Sequence, residues 1–223
     1  METLKQYRKT IVIATVLIAA TVIIASIVTY YGQNMPKQLY PGEVREYQGQ
    51  NLSAISDVYQ NAIGGTQNID PATYHLTIAG LVNATLDYTY DEAINNHQTY
   101  QKVVTIYCVE GWHAKILWGG ILVKDLLQDA GVQSNATVAI FHASDGYTTA
   151  LPLDYLLSKN ILLAYRMNGV TLTPNIGFPF MLVSESKYGY KWIKWVTEIE
   201  VSNKTNYLGY WESHGFSNDA TVG

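Results

Sequence analysis

The residue with the most chemical potential in this chain is Cys108, its only cysteine, which sits in VVTIYCVEGW where a β-type run meets a turn. A lone cysteine forms no internal disulfide, so packing, reactivity or metal ligation must account for it. An inert buried thiol is the commoner case for such a residue. Two other clusters carry chemistry-bearing side chains: His142 to Thr149 (HASDGYTT) and Lys187 to Trp195 (KYGYKWIKW). The latter reads in two ways. Gly189 offers a turn whose backbone N–H groups, with Lys191, would cradle a phosphate. Alternatively the run is an aromatic strand with exposed lysines. The standard nucleotide, hydrolase and metalloprotease motifs are missing, as is a CxxC pair. The five His are scattered and read as surface or hydrogen-bonded core residues. Asp87, Asp91, Glu92, Asp125 and Asp129 read as solvated helix or turn charges, and no carboxylate pair points to acid–base catalysis.

The elements around these clusters are short. In YHLTIAGLV, Tyr74, Leu76 and Ile78 alternate with His75, Thr77 and Ala79, which predicts a half-buried strand. TYDEAINN predicts a short helix with Thr89 as N-cap and Glu92 at the capping-box position. QKVVTIYCV and ATVAIFHAS are β-rich. GILVKDLLQDAG predicts a helix with Ile121, Leu122, Leu126 and Leu127 on one face and Gly131 as its cap. LPLDYLLSK predicts a second short helix beginning near Pro152. Asn168-Gly169 marks a hairpin turn inside ILLAYRMNGVTL. GFPFMLVS and KWIKWVTEIEVS read as strands, and the polar stretch after residue 43 as loops and short helices wrapped on the later core. Short strands interspersed with short helices imply a mixed, β-rich α+β domain.

Ahead of this domain, Ile11 to Tyr30 runs IVIATVLIAATVIIASIVTY without a charge, Pro or Gly. A helix of that length spans roughly 30 Å, the hydrocarbon thickness of a bilayer. Lys5, Arg8 and Lys9 precede it, which predicts a cytoplasmic N-terminus (1–10), a transmembrane anchor (11–31), a linker (32–43) and an extracytoplasmic domain (44–223). The rival reading, a cleaved signal peptide, has an apolar core of only about 7–15 residues. The whole chain carries −4 and residues 1–31 carry +2, leaving −6 on the remainder. An acidic domain with scattered lysines argues against a nucleic-acid partner. Four Asn-x-Ser/Thr sequons begin at Asn51, Asn83, Asn135 and Asn203, compatible with export.

Taken in order, the segments EYQGQNLSAI, GTQNIDPATYHLTIAGLV, YCVEGWHAKILWGGILVKDLL, HASDGYTTALPLDYL, ILLAYRMNGVTL, GFPFMLVSESKYGYKWIKWVTEIEV and LGYWESHGFSNDA resemble the sulfite oxidase family of molybdopterin-binding oxidoreductase domains, which includes a periplasmic methionine-sulfoxide reductase. The likeness runs from about Glu43 to the C-terminus. It implies a sulfite-oxidase-type α+β fold and a molybdopterin cofactor with molybdenum (or tungsten), whose metal takes one protein thiolate. Cys108 matches that ligand, and a soft thiolate suits such a metal. Gly189, Tyr190 and Lys191 match a Gly-aromatic-Lys segment that contacts the pterin or its phosphate. Two positions depart from the family pattern: Ile176 stands where relatives carry His or Asn, and Met181 where they carry Arg. Met offers neither charge nor a donor fork, so phosphate anchoring would lean on Lys191, with Lys187 or Arg166 assisting. The resemblance implies oxygen-atom transfer on a small oxyanion or sulfoxide. The chain shows no haem-binding domain, so an external electron carrier, such as a membrane redox protein, is the expected partner. A non-catalytic binding module on the same fold is the alternative that Ile176 and Met181 raise.

Overall fold

The computed structural model describes residues 13–27 and 39–223. Residues 13–27 form a helix, α1, whose side chains are exposed throughout. Two of its hydroxyls are satisfied internally: Thr21 Oγ1 donates to the carbonyls of Leu17 and Ile18, and Ser26 Oγ to that of Val22. Among the described residues no helix is long and apolar enough to cross a membrane. The rest of the expected 11–31 span lies outside them.

Residues 39–223 form a separate compact unit. After a hairpin of β1 (Glu46–Tyr47) and β2 (Gln50–Asn51), its strands form two five-stranded sheets. One sheet contains β5 (Tyr100–Tyr107), β6 (His113–Leu122) and β9 (Leu162–Met167), with β10 (Val170–Thr171) and β11 (Met181–Val183) both paired to β9. The other runs β4 (Leu86–Thr89), β3 (His75–Gly80), β12 (Val196–Ser202), β7 (Val138–Ala143), β8 (Thr148–Pro152). The β3–β12 pair is parallel, although the two strands lie at opposite ends of the domain's sequence.

Both faces of the first sheet are covered, because strand side chains alternate between faces. Leu163, Tyr165 and Leu182 join the large core that includes Leu76, Ile78, Phe141 and Ile199 of the second sheet. Their neighbours Leu162, Ala164 and Val183 join a second core with Ile106, Ile116, Trp118 and Trp192. Short helices α2 (Tyr90–Asn95), α3 (Val123–Ala130), α4 (Leu153–Ser158) and α5 (Tyr210–Ser213) fill the connections. The fold is thus β-rich with short helices, as expected for the α+β class.

Local signals decide several elements. Thr89 caps α2, its side chain accepting from Glu92 N, while Thr89 N donates to Glu92 Oε2. Asn168 and Gly169 take φ of 48° and 82°, the left-handed pair that a tight hairpin turn requires. Two expectations are corrected. The helix expected from Gly120 begins only at Val123, and Ile121 and Leu122 lie on β6. Gly120 packs so closely on β9 that a Cβ there would stand 2.3 Å from Leu163 O, so tertiary pairing outweighs the helical pattern. KWIKWVTEIEVS is a strand only from Val196; Gly189–Lys191 is a 3-10 turn. The stretch 44–73 does follow the expected loops, holding one small hairpin and the 3-10 turn Ile55–Asp57.

Candidate functional site

Cys108 opens the loop that joins β5 to β6. Tyr107 pairs with His113, and inside that pair Cys108 N donates to Trp112 O (2.9 Å) and Gly111 N to Cys108 O (3.1 Å). Gly111 has φ of 91°, a conformation L side chains rarely adopt, so the loop's tightness depends on glycine there. The half-buried thiol is thereby held on the wall of a cavity of ≈ 510 Å³, within the usual range of roughly 300–1,000 Å³ for small-molecule sites. Glu110 N lies 3.5 Å from Cys108 Sγ and donates to it, and the Glu110 carboxylate Oε2 lies 3.8 Å away. Burial, then the carboxylate, push the thiol pKa up, against the lowering effect of that N–H. A cationic occupant such as a metal ion reverses this balance, since ligation deprotonates a thiol.

The Gly189–Lys191 turn lies against Cys108. Tyr188 bridges to Tyr107, and a Cβ on Gly189 would stand 3.4 Å from Tyr107 O and 3.9 Å from Cys108 Cα. Gly189 and Tyr190 line the cavity, so the structure brings them together with Cys108. Lys191 is placed differently. Its side chain is fully buried, donating to Ala150 O (3.0 Å), to Asn218 Oδ1 (2.9 Å) and to Glu212 Oε1 in a close ion pair. Burial lowers its pKa, and Glu212 opposes the shift. Its three N–H groups are therefore occupied, and it is not part of the cavity wall. The expectation of an anion contact at Lys191 meets a lysine engaged in holding the turn to α5 and the C-terminal segment.

The cation on the wall is Lys194. Its Nζ donates to Gln60 Oε1 (2.9 Å) and Asn61 O (2.6 Å) and stands 4.5 Å from the Trp195 ring centre. Among the described residues no carboxylate bonds it, and burial lowers its pKa to about 8 against the opposing charge of Asp145. Arg166 and Lys187 do not reach the wall: Arg166 sits over Tyr165, and Lys187 bonds Asp219 and Thr221. Met181 is 3% exposed and lines the cavity, and Ile176 is buried in the adjoining core, so neither supplies a donor.

Two parts of the wall are missing from the sequence reading. The segment 58–63 lines the cavity, tied by the Lys194 bonds, by Asn61 Nδ2 donating to Glu110 Oε1 (3.1 Å), and by Tyr59 edge-on to Trp112. From the far end of the chain come Trp211 and Phe216. The HASDGYTT cluster divides: Asp145 and Tyr147 line the cavity, whereas His142 pairs with Glu200 at 3.1 Å. Among the described residues no group of three or more His, Cys, Asp or Glu side chains could hold a metal ion. A metal on Cys108 would take its remaining ligands from a cofactor.

The oxidoreductase molybdopterin binding domain profile matches residues 63–211. The chain belongs to that family. It is 36% identical over 148 residues to the uncharacterized oxidoreductase YuiH of Bacillus subtilis, covering 66% of this chain and 74% of YuiH. It is 32% identical to the putative protein-methionine-sulfoxide reductase subunit YedZ1 of Azospira oryzae, over 68% of this chain and 57% of that protein. With human mitochondrial sulfite oxidase the identity is 27%, over 67% of this chain and 32% of the relative. The chain thus spans a little over half of the YedZ1 subunit and about a third of sulfite oxidase. Among solved structures, the sulfane dehydrogenase SoxCD of Paracoccus pantotrophus superposes with a TM-score of 0.62 at 17% identity, over 78% of this chain and 52% of that one. That likeness supports the sulfite-oxidase-type fold.

As a family member the chain is a molybdenum-dependent oxidoreductase domain, and its cofactor is molybdopterin with molybdenum. The residues present fit that group. The wall offers one soft donor, Cys108, a glycine turn packed beside it, and a cation, Lys194, whose bonding partners are neutral. When bound, the cofactor supplies the metal centre and its paired electron steps. Cys108 would hold the metal, and Lys194 would neutralise the cofactor phosphate.

Proposed function

We propose that this chain is a membrane-anchored, extracytoplasmic oxidoreductase that transfers an oxygen atom from a small uncharged sulfoxide, with residues 11–31 as the anchor. The observation that carries the substrate class is the Glu110 carboxylate 3.8 Å from Cys108 Sγ. Among the described wall residues, it and Asp145 outnumber the cation, Lys194. An oxyanion entering beside the exposed Glu110 carboxylate meets a like charge, softened by solvent, whereas a sulfoxide carries no net charge. The wall also presents Tyr59, Trp112, Trp211 and Phe216, surfaces suited to the apolar groups of a thioether.

The overall change is balanced as a sulfoxide plus two electrons and two protons giving a thioether and water. Within it the protein orients the substrate between the aromatic side chains of the wall. Glu110 Oε2 also accepts from Trp112 Nε1 at 3.4 Å, which holds the carboxylate beside Cys108, and the two protons come from solvent. The electrons come from an external carrier, a second protein that meets the domain at the membrane. The relatedness to a putative methionine-sulfoxide reductase subunit supports this reading.

The test is turnover of the purified holoprotein with a reduced viologen dye as electron donor. Dimethyl sulfoxide and methionine sulfoxide are expected to be reduced, with nitrate reduction and sulfite oxidation at least tenfold slower. Cys108→Ser is expected to lose stoichiometric molybdenum and all turnover while keeping its fold. Faster turnover of nitrate or sulfite would overturn the substrate class. Protein from a molybdenum-replete host that folds without metal would favour the non-catalytic module instead.

A further inference from the structure

Three of the four sequons meet in one place. Asn83 lies in the turn between β3 and β4, where its backbone N–H reaches the carbonyls of Ala130 and Gly131. Asn135 lies in the connection from α3 to β7, which is tied to the same turn by Gln133 N donating to Leu81 O and by the Val82–Val132 bridge. Asn203 follows the last residue of β12, and Ser202 O accepts from Thr137 N. Because β3 and β12 run parallel and β7 antiparallel to them, all three sequons sit at one end of the second sheet. The cavity is at the other end. Val196 opposite Ala143 marks that end, and Trp195, Asp145 and Tyr147 line the cavity there. β12 has 7 residues, so at ~3.3 Å per residue the two ends are roughly 20 Å apart.

The three sites share a chemical state as well as a place. Asn83, Asn135 and Asn203 are exposed, and so are Thr85, Thr137 and Thr205 two residues on. Among the described residues none of these six side chains has a hydrogen-bond partner. The fourth sequon differs. Asn51 is on the β1–β2 hairpin, and its partner Ser53 is tied down, with Oγ accepting from Lys115 N at 3.0 Å.

We infer that Asn83, Asn135 and Asn203 are N-glycosylation acceptors that clothe the pole of the domain opposite the cavity. The inference rests on the extracytoplasmic reading above. In the transfer, the side-chain amide nitrogen bonds to the anomeric carbon of a lipid-phosphate-linked oligosaccharide. The bond from that carbon to the phosphate oxygen breaks, and the amide gives up one proton as the lipid phosphate leaves. A free amide and a free threonine hydroxyl meet an enzyme that must grip both, and an exposed turn accepts a bulky product without disturbing the core. The cavity pole, with Tyr59, Val109 and Trp211 exposed, stays bare for substrate and electron carrier.

The test is expression of the full chain in eukaryotic secretory host cells. Protease protection of microsomes shows whether the domain enters the lumen. Endoglycosidase gel shifts and masses of the Asn-containing peptides then show occupancy. The expected result is three mobility steps, one of them removed by each of Thr85→Ala, Thr137→Ala and Thr205→Ala, with Asn51 unmodified and sulfoxide turnover unchanged in the triple variant. A luminal domain lacking glycans at these three asparagines overturns the inference while leaving the export reading intact. A domain that stays outside the lumen overturns the export reading and the inference with it.

Discussion

At the scale of single residues, the site separates two lysines that are three positions apart. Lys191 forms a fully buried ion pair with Glu212, whose Oε2 has no hydrogen-bond partner among the described residues. Removing one member of such a pair strands a charge and costs about 3–5 kcal/mol, whereas replacing both with apolar groups can be neutral. Lys191→Met is therefore expected to lower the thermal midpoint sharply, and Lys191→Met with Glu212→Leu to recover most of the loss, read by calorimetry. Lys194 acts on ligands instead. With its pKa lowered from 10.5 to about 8, it carries its charge below pH 8 and loses it as the pH rises above. An unfolded lysine keeps its proton to higher pH, so the ligand-free domain gains stability between about 8 and 10.5. Binding of a phosphate-bearing pterin has the opposite slope. Its affinity is expected to fall by about tenfold per pH unit above 8, and titration of Lys194→Gln to show weaker binding without that slope. Sequence spacing does not distinguish these two lysines. Which one faces the cavity is decided by the 3-10 turn and by Gln60 and Asn61, the latter 133 residues away.

At the scale of elements, what was legible was local. The Thr89–Glu92 capping box, the Asn168-Gly169 turn and the alternation that buries Tyr74, Leu76 and Ile78 each depend on neighbours in sequence, and each stands in the structure. The start of α3 did not, because Gly120 serves a contact with β9 that no neighbouring residue announces. That contact predicts a sensitivity. In Gly120→Ala the methyl would lie 2.3 Å from Leu163 O and 2.6 Å from Ala164 Cα, backbone atoms that cannot rotate away. Overpacking of this kind costs about 1–3 kcal/mol, which for a domain of this size is a fall of roughly 2–4 °C in Tm for each kcal/mol. Gly111→Ala lacks such a neighbour, since nothing stands within 4 Å of its Cβ position, so there only the positive φ is strained. The wall segments 58–63 and 211–216 escaped the sequence reading for the same reason as Gly120: their role exists only in the folded arrangement.

At the scale of the whole molecule, the apolar run from Ile11 to Tyr30 supports the anchored reading, and fractionation tests it. The full chain is expected to pellet with membranes, resist extraction by alkaline carbonate and enter detergent, and a variant lacking residues 1–31 to remain in the supernatant. Extraction by carbonate alone would reduce the anchor to a peripheral contact. The parallel pairing of β3 with β12 bears on something else, the order of events in time. The cavity wall draws on residues from Val58 to Phe216, and its glycine turn is fastened by a bond from Tyr188 N to Ala220 O. A pocket assembled from segments so far apart in sequence closes slowly, and its cofactor can be seated only once the stretch from Val58 to Ala220 has folded together.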